Sequence, residues 1–138
     1  MDWTLEVVCV PVGDIDRAKA FYAEKLGFSV DHDTVVDDAV RIVQLTPAGS
    51  GCSIVIGKGA VPDMLPGSLK GLQVVVRDLR AAHAQLRDRG VDVSQIMVFA
   101  PEGQRPARAD DDLHNVGFVY FSDPDGNGWA VQQISTRS

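Results

Sequence analysis

The sequence lacks the marks of a disulfide scaffold, a membrane protein and a nucleic-acid-binding protein. Its only cysteines, Cys9 and Cys52, do not form a CxxC pair, so we expect two free thiols that pack as small hydrophobic groups. No stretch approaches the roughly 20 apolar residues that span a bilayer. No basic run is present and the net charge is −6, whereas nucleic-acid binding needs clustered basic side chains that displace counterions from phosphate. The sequence therefore predicts neither a nucleic-acid partner nor a membrane partner.

The composition that remains is that of an ordinary globular chain. Hydrophobic residues make up 45% of the sequence and charged residues 23%, a balance that argues against intrinsic disorder. A chain of 138 residues is long enough for one domain with its own core. Near the start, Asp2 and Glu6 stand where a signal peptide would carry Lys or Arg. We therefore expect a single domain, residues 1–138, in the cytoplasm.

Helix-capping residues and β-branched runs occur twice in the same order. Asp14 and Asp78 are placed as helix N-caps, and Gly27 and Gly90 as the glycines that end those helices. Runs rich in β-branched residues predict strands around the two helices at residues 5–12, 28–36, 39–46 and 52–56, and at 69–76, 91–99, 114–121 and 129–134. A polar loop is expected over residues 101–113, and a tight turn over 123–128.

This repeated order predicts an α+β fold of two βαβββ modules, residues 1–57 and 69–138, joined by the linker 58–68. Each helix should cover one face of its sheet and leave the other face free. Two free faces turned towards each other would make curved mixed sheets around a cleft, and a cleft makes a small-molecule pocket the default expectation.

Strand parity selects the side chains expected to line that pocket. Amides beside apolar walls suit a neutral or weakly polar ligand, and aromatic side chains that share one strand face can stack on it. A histidine at the mouth can act as an acid or base near neutral pH. Ordinary packing between modules or subunits is the alternative for these side chains, except that His114, which follows three aspartates, has a solvated acidic loop as its alternative. The seven candidates are Val7, Cys9, Gln73, His114, Phe118, Tyr120 and Gln132.

Three segments of the sequence resemble the vicinal oxygen chelate superfamily, which includes glyoxalase I, bleomycin-resistance proteins, fosfomycin-resistance enzymes and extradiol dioxygenases. The first segment is Val12–Tyr22, followed by Leu26-Gly27-Phe28. The second is Val76-Arg77-Asp78-Leu79, with Leu86 and Gly90-Val91, and the third is Phe121–Trp129, which contains D-P-D-G-N. The resemblance implies the glyoxalase/bleomycin resistance-like fold and, because many small members complete their clefts across a two-fold axis, a homodimer.

The resemblance also implies where a divalent metal ion would be held. The ligand positions of the family carry over to Val7, Ser53, Gly71 and Ala130, none of which offers an imidazole or a carboxylate. A slip of one residue would bring in Glu6, but it would also turn that side chain to the opposite face of the strand. We therefore expect no metal ion and no other cofactor.

These observations predict a protein that binds a small molecule in the inter-module cleft without a metal ion and sequesters it, as bleomycin-resistance proteins do. No catalytic residue is assigned. The alternative is a metal-independent lyase or isomerase of the same superfamily, with His114, Tyr120, Gln73 and Gln132 as its candidates. A second alternative is a metal-dependent glyoxalase or dioxygenase.

Overall fold

A computed structural model describes residues 1–137, which form two compact units. The first unit comprises Met1–Leu69 together with Asp123–Asn127, and the second comprises Lys70–Ser122 together with the residues from Gly128 onward. Each unit contains a mixed β-sheet and one helical segment, so the predicted α+β class is confirmed. No helix within residues 1–137 has the length and apolar character needed to cross a membrane.

The first unit is a four-stranded sheet with a helix between its first and second strands. Its elements are β1 (Val7–Cys9), α1 (Ile15–Ala20), a π-helical segment (Phe21–Lys25), β2 (Ser29–Asp37), β3 (Val40–Thr46) and β4 (Ser53–Lys58). The strand order is β1-β4-β3-β2, with β1 parallel to β4 and the other pairs antiparallel. The first strand is shorter than predicted, and Pro11, which has no N–H for a ladder hydrogen bond, lies just beyond its end.

The first helical segment begins after the predicted N-cap and ends before the predicted glycine, but its second half is π-helical. The Asp14 carboxylate accepts a hydrogen bond from the Arg17 N–H at 3.0 Å, and Gly27 ends the helical segment with φ of 76°. The helical segment is not α-helical throughout, because α1 ends at Ala20 and a π-helical segment continues it to Lys25. In that segment Phe21 and Tyr22 are both buried, since the wider turn brings consecutive side chains closer together around the helix axis.

The core of the first unit comes from alternate residues of its inner strands. Val43 and Leu45 on β3 and Ile54 and Ile56 on β4 are at most 4% exposed, and α1 lies against β4. Because side chains alternate between the faces of a sheet, Gln44, Thr46, Ser53 and Val55 lie on the other face. We call that face the open face of the first unit.

The turn Asp123–Asn127 packs into the first unit through hydrogen bonds, most of which are buried. The Asp123 carboxylate accepts hydrogen bonds from the Tyr22 hydroxyl at 2.7 Å and from the Asn127 side-chain amide at 2.7 Å. The same amide donates to the Pro11 carbonyl at 2.8 Å, and the Gly13 N–H donates to the Asp125 carboxylate at 3.0 Å. The predicted tight turn is therefore also an internal anchor of this unit.

The second unit is a five-stranded sheet with one helix. Its elements are β5 (Leu72–Val76), α2 (Leu79–Asp88), β6 (Met97–Ala100), β7 (Gly103–Pro106), β8 (Gly117–Ser122) and β9 (Gly128–Gln133), and the strand order is β5-β9-β8-β6-β7. The helix begins at the predicted N-cap, where the Asp78 carboxylate accepts a hydrogen bond from the Ala81 N–H at 3.1 Å. Strands β5 and β9 are parallel, as β1 and β4 are in the first unit.

Four sequence predictions for the second unit are corrected. Strand β5 starts at Leu72 rather than at residue 69, because Gly71 has φ of 88°, outside the extended range. Strand β8 starts at Gly117 rather than at residue 114, after Asn115 with φ of 65°. Strand β6 starts only at Met97, and the supposed loop 101–113 contains β7, which pairs with β6 across a two-residue turn at Pro101 and Glu102.

Candidate functional site

The sheet of the second unit has one face that is covered and one that is open. Val119, Phe121, Trp129 and Val131 are at most 7% exposed, and α2 lies against β8 and β9, which carry them. The intervening residues face the other way. We define the aromatic face as this open side of β5–β9, and its central side chains are Gln73, Phe99, Gln104, Phe118, Tyr120 and Gln132.

Strand register brings four of the predicted pocket residues together on the aromatic face. Phe118 lies directly opposite Gln132, and Ala130 is paired with both Tyr120 and Gln73. These pairs are cross-strand neighbours whose side chains share one side of the sheet. The parity prediction for Gln73, Phe118, Tyr120 and Gln132 therefore corresponds to one continuous surface.

Three aromatic rings form the centre of this surface. The Phe118 and Tyr120 rings are nearly parallel, with an interplanar angle of 6° and centroids 6.2 Å apart. Phe99 meets Phe118 edge to face at 5.3 Å and is 50% exposed. Exposed rings in these arrangements present both a flat face and a ring edge, so a planar ligand can stack on one and pack against the other.

Two amide contacts set the orientation of the polar groups around the rings. Gln132 donates its side-chain N–H to the Asn115 carbonyl at 2.8 Å, so its Oε1 is free to accept a hydrogen bond from Gln73 Nε2 at 2.7 Å. Gln104 Nε2 donates to the Tyr120 hydroxyl oxygen, which leaves the Tyr120 O–H available as a donor. The six defining side chains include no carboxylate, imidazole or amine, so the face is suited to an uncharged ligand.

Phe99 and Gln104 were not among the predicted site residues. Gln104 belongs to β7, a strand that the polar sequence Gly103–Pro106 did not reveal, and it lies opposite Phe99 in the register of β6 and β7. The available signal was Gly103, which directly follows the two-residue turn at Pro101 and Glu102 and has φ of 114°.

His114 has a defined backbone contact outside the aromatic face. It precedes β8, and its Nδ1 accepts a hydrogen bond from the Ser135 N–H at 2.9 Å. A neutral imidazole that accepts at Nδ1 carries its proton on Nε2. The contact ties the segment after β9 to the segment before β8.

The acidic stretch before His114 is organised by an ion pair. Arg105 donates to both carboxylate oxygens of Asp111, at 2.8 and 2.9 Å, and the Arg108 N–H donates to the same carboxylate at 2.6 Å. These hydrogen bonds, above all those from Arg105, hold the pKa of Asp111 well below its usual range. Within residues 1–137, no three His, Cys, Asp or Glu side chains are grouped so as to hold a metal ion.

The two remaining pocket candidates lie on the first unit. Val7 pairs in parallel register with Ser53, and Cys9 pairs with Val55. Cys9 also lines a cavity of about 440 Å³ between the ends of β1 and β4 and the segment 61–66. Both cysteines are free, as predicted.

A polar cluster that the sequence did not predict lies on the open face of the first unit. Its members are Asp31, Gln44, Thr46 and Ser53, and we call it the Asp31 cluster. Thr46 Oγ1 donates to Asp31 and lies 2.6 Å from Ser53 Oγ. The polar residues Gln44 and Thr46, which alternate with buried Val43 and Leu45 on β3, were the signal in the sequence.

The family's metal-ligand positions do not fit a divalent metal ion. Among Val7, Ser53, Gly71 and Ala130, only Ser53 has a polar side chain, and its hydroxyl is 2.6 Å from Thr46 Oγ1 and 3.4 Å from Gln44 Nε2. In the second unit, Ala130 pairs with Gln73, and Gly71 lies before β5. One neutral hydroxyl does not provide the convergent N, O or S donors that zinc, iron or manganese need.

The sequence and the fold were compared with known proteins. The family model of the Glyoxalase/Bleomycin resistance protein/Dioxygenase superfamily matches residues 4–131. No curated protein matches the sequence significantly. TnmS3, an antibiotic binding protein from Streptomyces sp. CB03234, is 32% identical with a TM-score of 0.73, and the alignment covers 97% of this chain and 98% of TnmS3.

Two further solved structures support the same assignment. A glyoxalase/bleomycin resistance protein from Streptomyces sp. CB03234 is 32% identical with a TM-score of 0.70, and the alignment covers 94% of this chain and 100% of the other. A member of the same superfamily from Sphaerobacter thermophilus DSM 20745 is 26% identical with a TM-score of 0.73, and the alignment covers 96% of this chain and 98% of the other. The predicted family and fold are confirmed, and the chain belongs to the Glyoxalase/Bleomycin resistance protein/Dioxygenase superfamily.

Proposed function

We propose that this protein binds a small, uncharged, planar aromatic molecule on the aromatic face and sequesters it without a metal ion. The observation that carries the proposal is the parallel pair Phe118 and Tyr120, extended by the exposed ring of Phe99. The Tyr120 O–H and the Gln73 amide lie beside these rings and can hydrogen-bond to polar groups at the ligand edge. The similarity to an antibiotic binding protein over 97% of this chain supports a natural product as the ligand.

The six defining side chains include no carboxylate, imidazole or amine, and the phenol of Tyr120 is the one titratable group among them, which favours binding over catalysis. General acid–base catalysis requires a titratable group placed next to the reacting atoms. His114, the imidazole that the enzyme alternative requires, uses Nδ1 to accept the Ser135 N–H. The donor set at the family's metal positions favours a role that needs no Lewis acid.

Isothermal titration calorimetry with naphthalene-2-carboxamide tests the proposal. We expect this probe to bind and its saturated counterpart, decahydronaphthalene-2-carboxamide, to bind more weakly, because only the planar rings can stack. Phe118→Leu should weaken binding of the aromatic probe by about 2- to 12-fold. Trp3→Leu is the matched control, since Trp3 is 88% exposed and belongs to the first unit.

Equal binding of the planar and saturated probes, or equal loss in the two variants, would refute recognition by the aromatic face. Chemical conversion of the probe that disappears in His114→Ala would instead support the lyase or isomerase alternative. Near-stoichiometric zinc, nickel, manganese or iron in the purified protein, with binding abolished by a chelator, would support the metal-dependent alternative.

The proposal also includes a homodimer in the cytoplasm. The dimer rests on the family resemblance, and the cytoplasm on two free cysteines. Size-exclusion chromatography with light scattering would show a mass of twice 14.9 kDa if the dimer forms. Cell fractionation would test the location.

A further inference from the structure

The Asp31 cluster on the open face of the first unit is a connected set of hydrogen bonds with an unusual balance of donors and acceptors. Thr46 Oγ1 donates to Asp31 Oδ2. Ser53 Oγ lies 2.6 Å from Thr46 Oγ1, and Gln44 Nε2 lies 3.4 Å from both Asp31 Oδ2 and Ser53 Oγ. Ser53 is 7% exposed, so this set reaches from the protein surface into the unit.

The direction of each hydrogen bond follows from the number of protons available. An ionised carboxylate only accepts, so the single hydroxyl proton of Thr46 is used on Asp31. Thr46 can then only accept from Ser53, which uses the Ser53 hydroxyl proton. The two protons of the Gln44 amide nitrogen point to Asp31 and Ser53. Every hydroxyl and amide proton of the Asp31 cluster is therefore used inside it.

Only acceptors are left to meet a ligand. Asp31 Oδ1 and Gln44 Oε1 have no hydrogen-bond partner among residues 1–137, and Asp31 makes no ion pair in that part of the chain. The cluster thus presents a negative charge and neutral oxygen lone pairs without a free donor. Beside it, Val7 pairs in register with Ser53 and is half-buried, which adds an apolar wall.

We propose that the Asp31 cluster binds a primary ammonium group carried on a short apolar stem. An ammonium ion has three N–H donors and no acceptor, which complements a site made only of acceptors. Its hydrogen bond to Asp31 would be charge-assisted and therefore stronger than a neutral one. A carboxylate or phosphate ligand would meet only lone pairs and a like charge. The proposal uses none of the residues of the aromatic face and does not depend on the function proposed for it.

Titration of ¹⁵N-labelled protein with simple probes, followed by two-dimensional NMR, tests this site. Propylammonium chloride should shift the Gln44 side-chain amide and the Thr46 and Ser53 backbone signals in a saturable way. Sodium propionate and 1-propanol, at the same ionic strength, should not. N-propylacetamide keeps the stem but loses the charge, and it should not shift these signals either.

Two charge-removing variants locate the binding group. Asp31→Asn should weaken propylammonium binding by at least about tenfold. Asp38→Asn removes the same charge from the exposed turn between β2 and β3 and should leave binding unchanged. The comparison of propylammonium with uncharged N-propylacetamide tests the need for a charge in the unaltered protein. The conclusion therefore does not depend on whether Asp31→Asn folds.

Three results would overturn the proposal: equal weakening in the two variants, saturable shifts with propionate or N-propylacetamide, or saturation by calcium chloride without any response to propylammonium. The last result would identify a site for a metal ion rather than for an ammonium group. None of these outcomes bears on the naphthalene-2-carboxamide experiment, so failure here and failure of the proposed function are distinguishable.

Discussion

Removal of the Tyr22 hydroxyl tests whether buried hydrogen bonds hold the Asp123–Asn127 turn in the first unit. Tyr22 is fully buried and Asp123 is 4% exposed. The Tyr22 O–H donates to Asp123 Oδ2 at 2.7 Å, and the second donor to that oxygen is the Asn127 amide. In Tyr22→Phe, water has little access to replace the lost donor, so among residues 1–137 Asp123 Oδ2 keeps only its hydrogen bond from the Asn127 amide.

The expected loss of stability is about 2 kcal/mol, because hydrogen bonds to charged groups contribute roughly 1.5–3 kcal/mol. Urea unfolding monitored by far-UV circular dichroism measures it, and the midpoint should fall by roughly 1 M. The chain has two tyrosines, so Tyr120→Phe is a matched control. The Tyr120 hydroxyl oxygen accepts a hydrogen bond from the exposed side chain of Gln104. Loss of this hydroxyl should change the free energy of unfolding by less than about 0.5 kcal/mol.

A stabilising role for the buried Tyr22 hydrogen bond would be refuted if the two tyrosine variants lost equal stability. It would also be refuted if Tyr22→Phe were as stable as the unaltered protein, since Asp123 would then not require the buried donor. A change in the slope of the unfolding transition would point to an altered denatured or native state, and a comparison of midpoints alone would then not measure the hydrogen bond.

Three further predictions concern charge and backbone geometry. Hydrogen bonds from Arg41 and Lys19 hold the pKa of Asp33 well below its usual range, so the stabilising ionised form is fully present above about pH 4 and is lost as the pH falls towards the folded-state pKa. Acid titration of stability should therefore be flatter in Asp33→Asn than in Asp38→Asn, and parallel curves would contradict this. Gly67 and Gly49 have nearly the same backbone conformation, with φ values of 80° and 81°. An added Cβ at Gly67 would lie 2.1 Å from the Asp125 carbonyl oxygen, whereas an added Cβ at Gly49 would meet nothing within 4 Å. Gly67→Ala should therefore lose at least about 2 kcal/mol more than Gly49→Ala in urea unfolding, beyond the roughly 1–2 kcal/mol of left-handed strain that both share. Gly27→Val should cost more than about 1 kcal/mol, because a β-branched residue resists the φ of 76° at this helix end, and an unchanged thermal midpoint would rule this out.

Local chemistry explains why much of the fold was predictable from the sequence. Asp14 and Asp78 act as N-caps because their side chains satisfy backbone N–H groups within their own first helical turns. Strand parity placed Phe118, Tyr120 and Gln132 on one side because their strands keep an uninterrupted register. In each case, the interaction that decides the structure involves near neighbours or a regular alternation.

The parts that sequence reasoning missed depend on interruptions of that regularity. Strand β7 has a polar sequence without alternation, so neither Gln104 nor its pairing with Phe99 was predicted. Asp31 lies at a register shift between Val30 and His32 in β2, and such a bulge breaks the parity on which a sequence prediction rests. The contact between His114 and the backbone of Ser135 joins residues 21 positions apart, and residue type alone does not specify it.

The Asp123–Asn127 turn has a consequence for any attempt to divide the chain. This pentapeptide is encoded between two strands of the second unit, yet its partners in the first unit include Tyr22, Gly13 and Leu69. A fragment ending at Leu69 would leave that hydroxyl and those two N–H groups without their acceptors, so it would not be a self-sufficient half. The same holds if one half of the chain is duplicated, if the chain is split, or if a half is exchanged with that of a relative. In each case the amino-terminal piece would fold only if it kept a D-P-D-G-N peptide in its own chain or received one as a separate peptide.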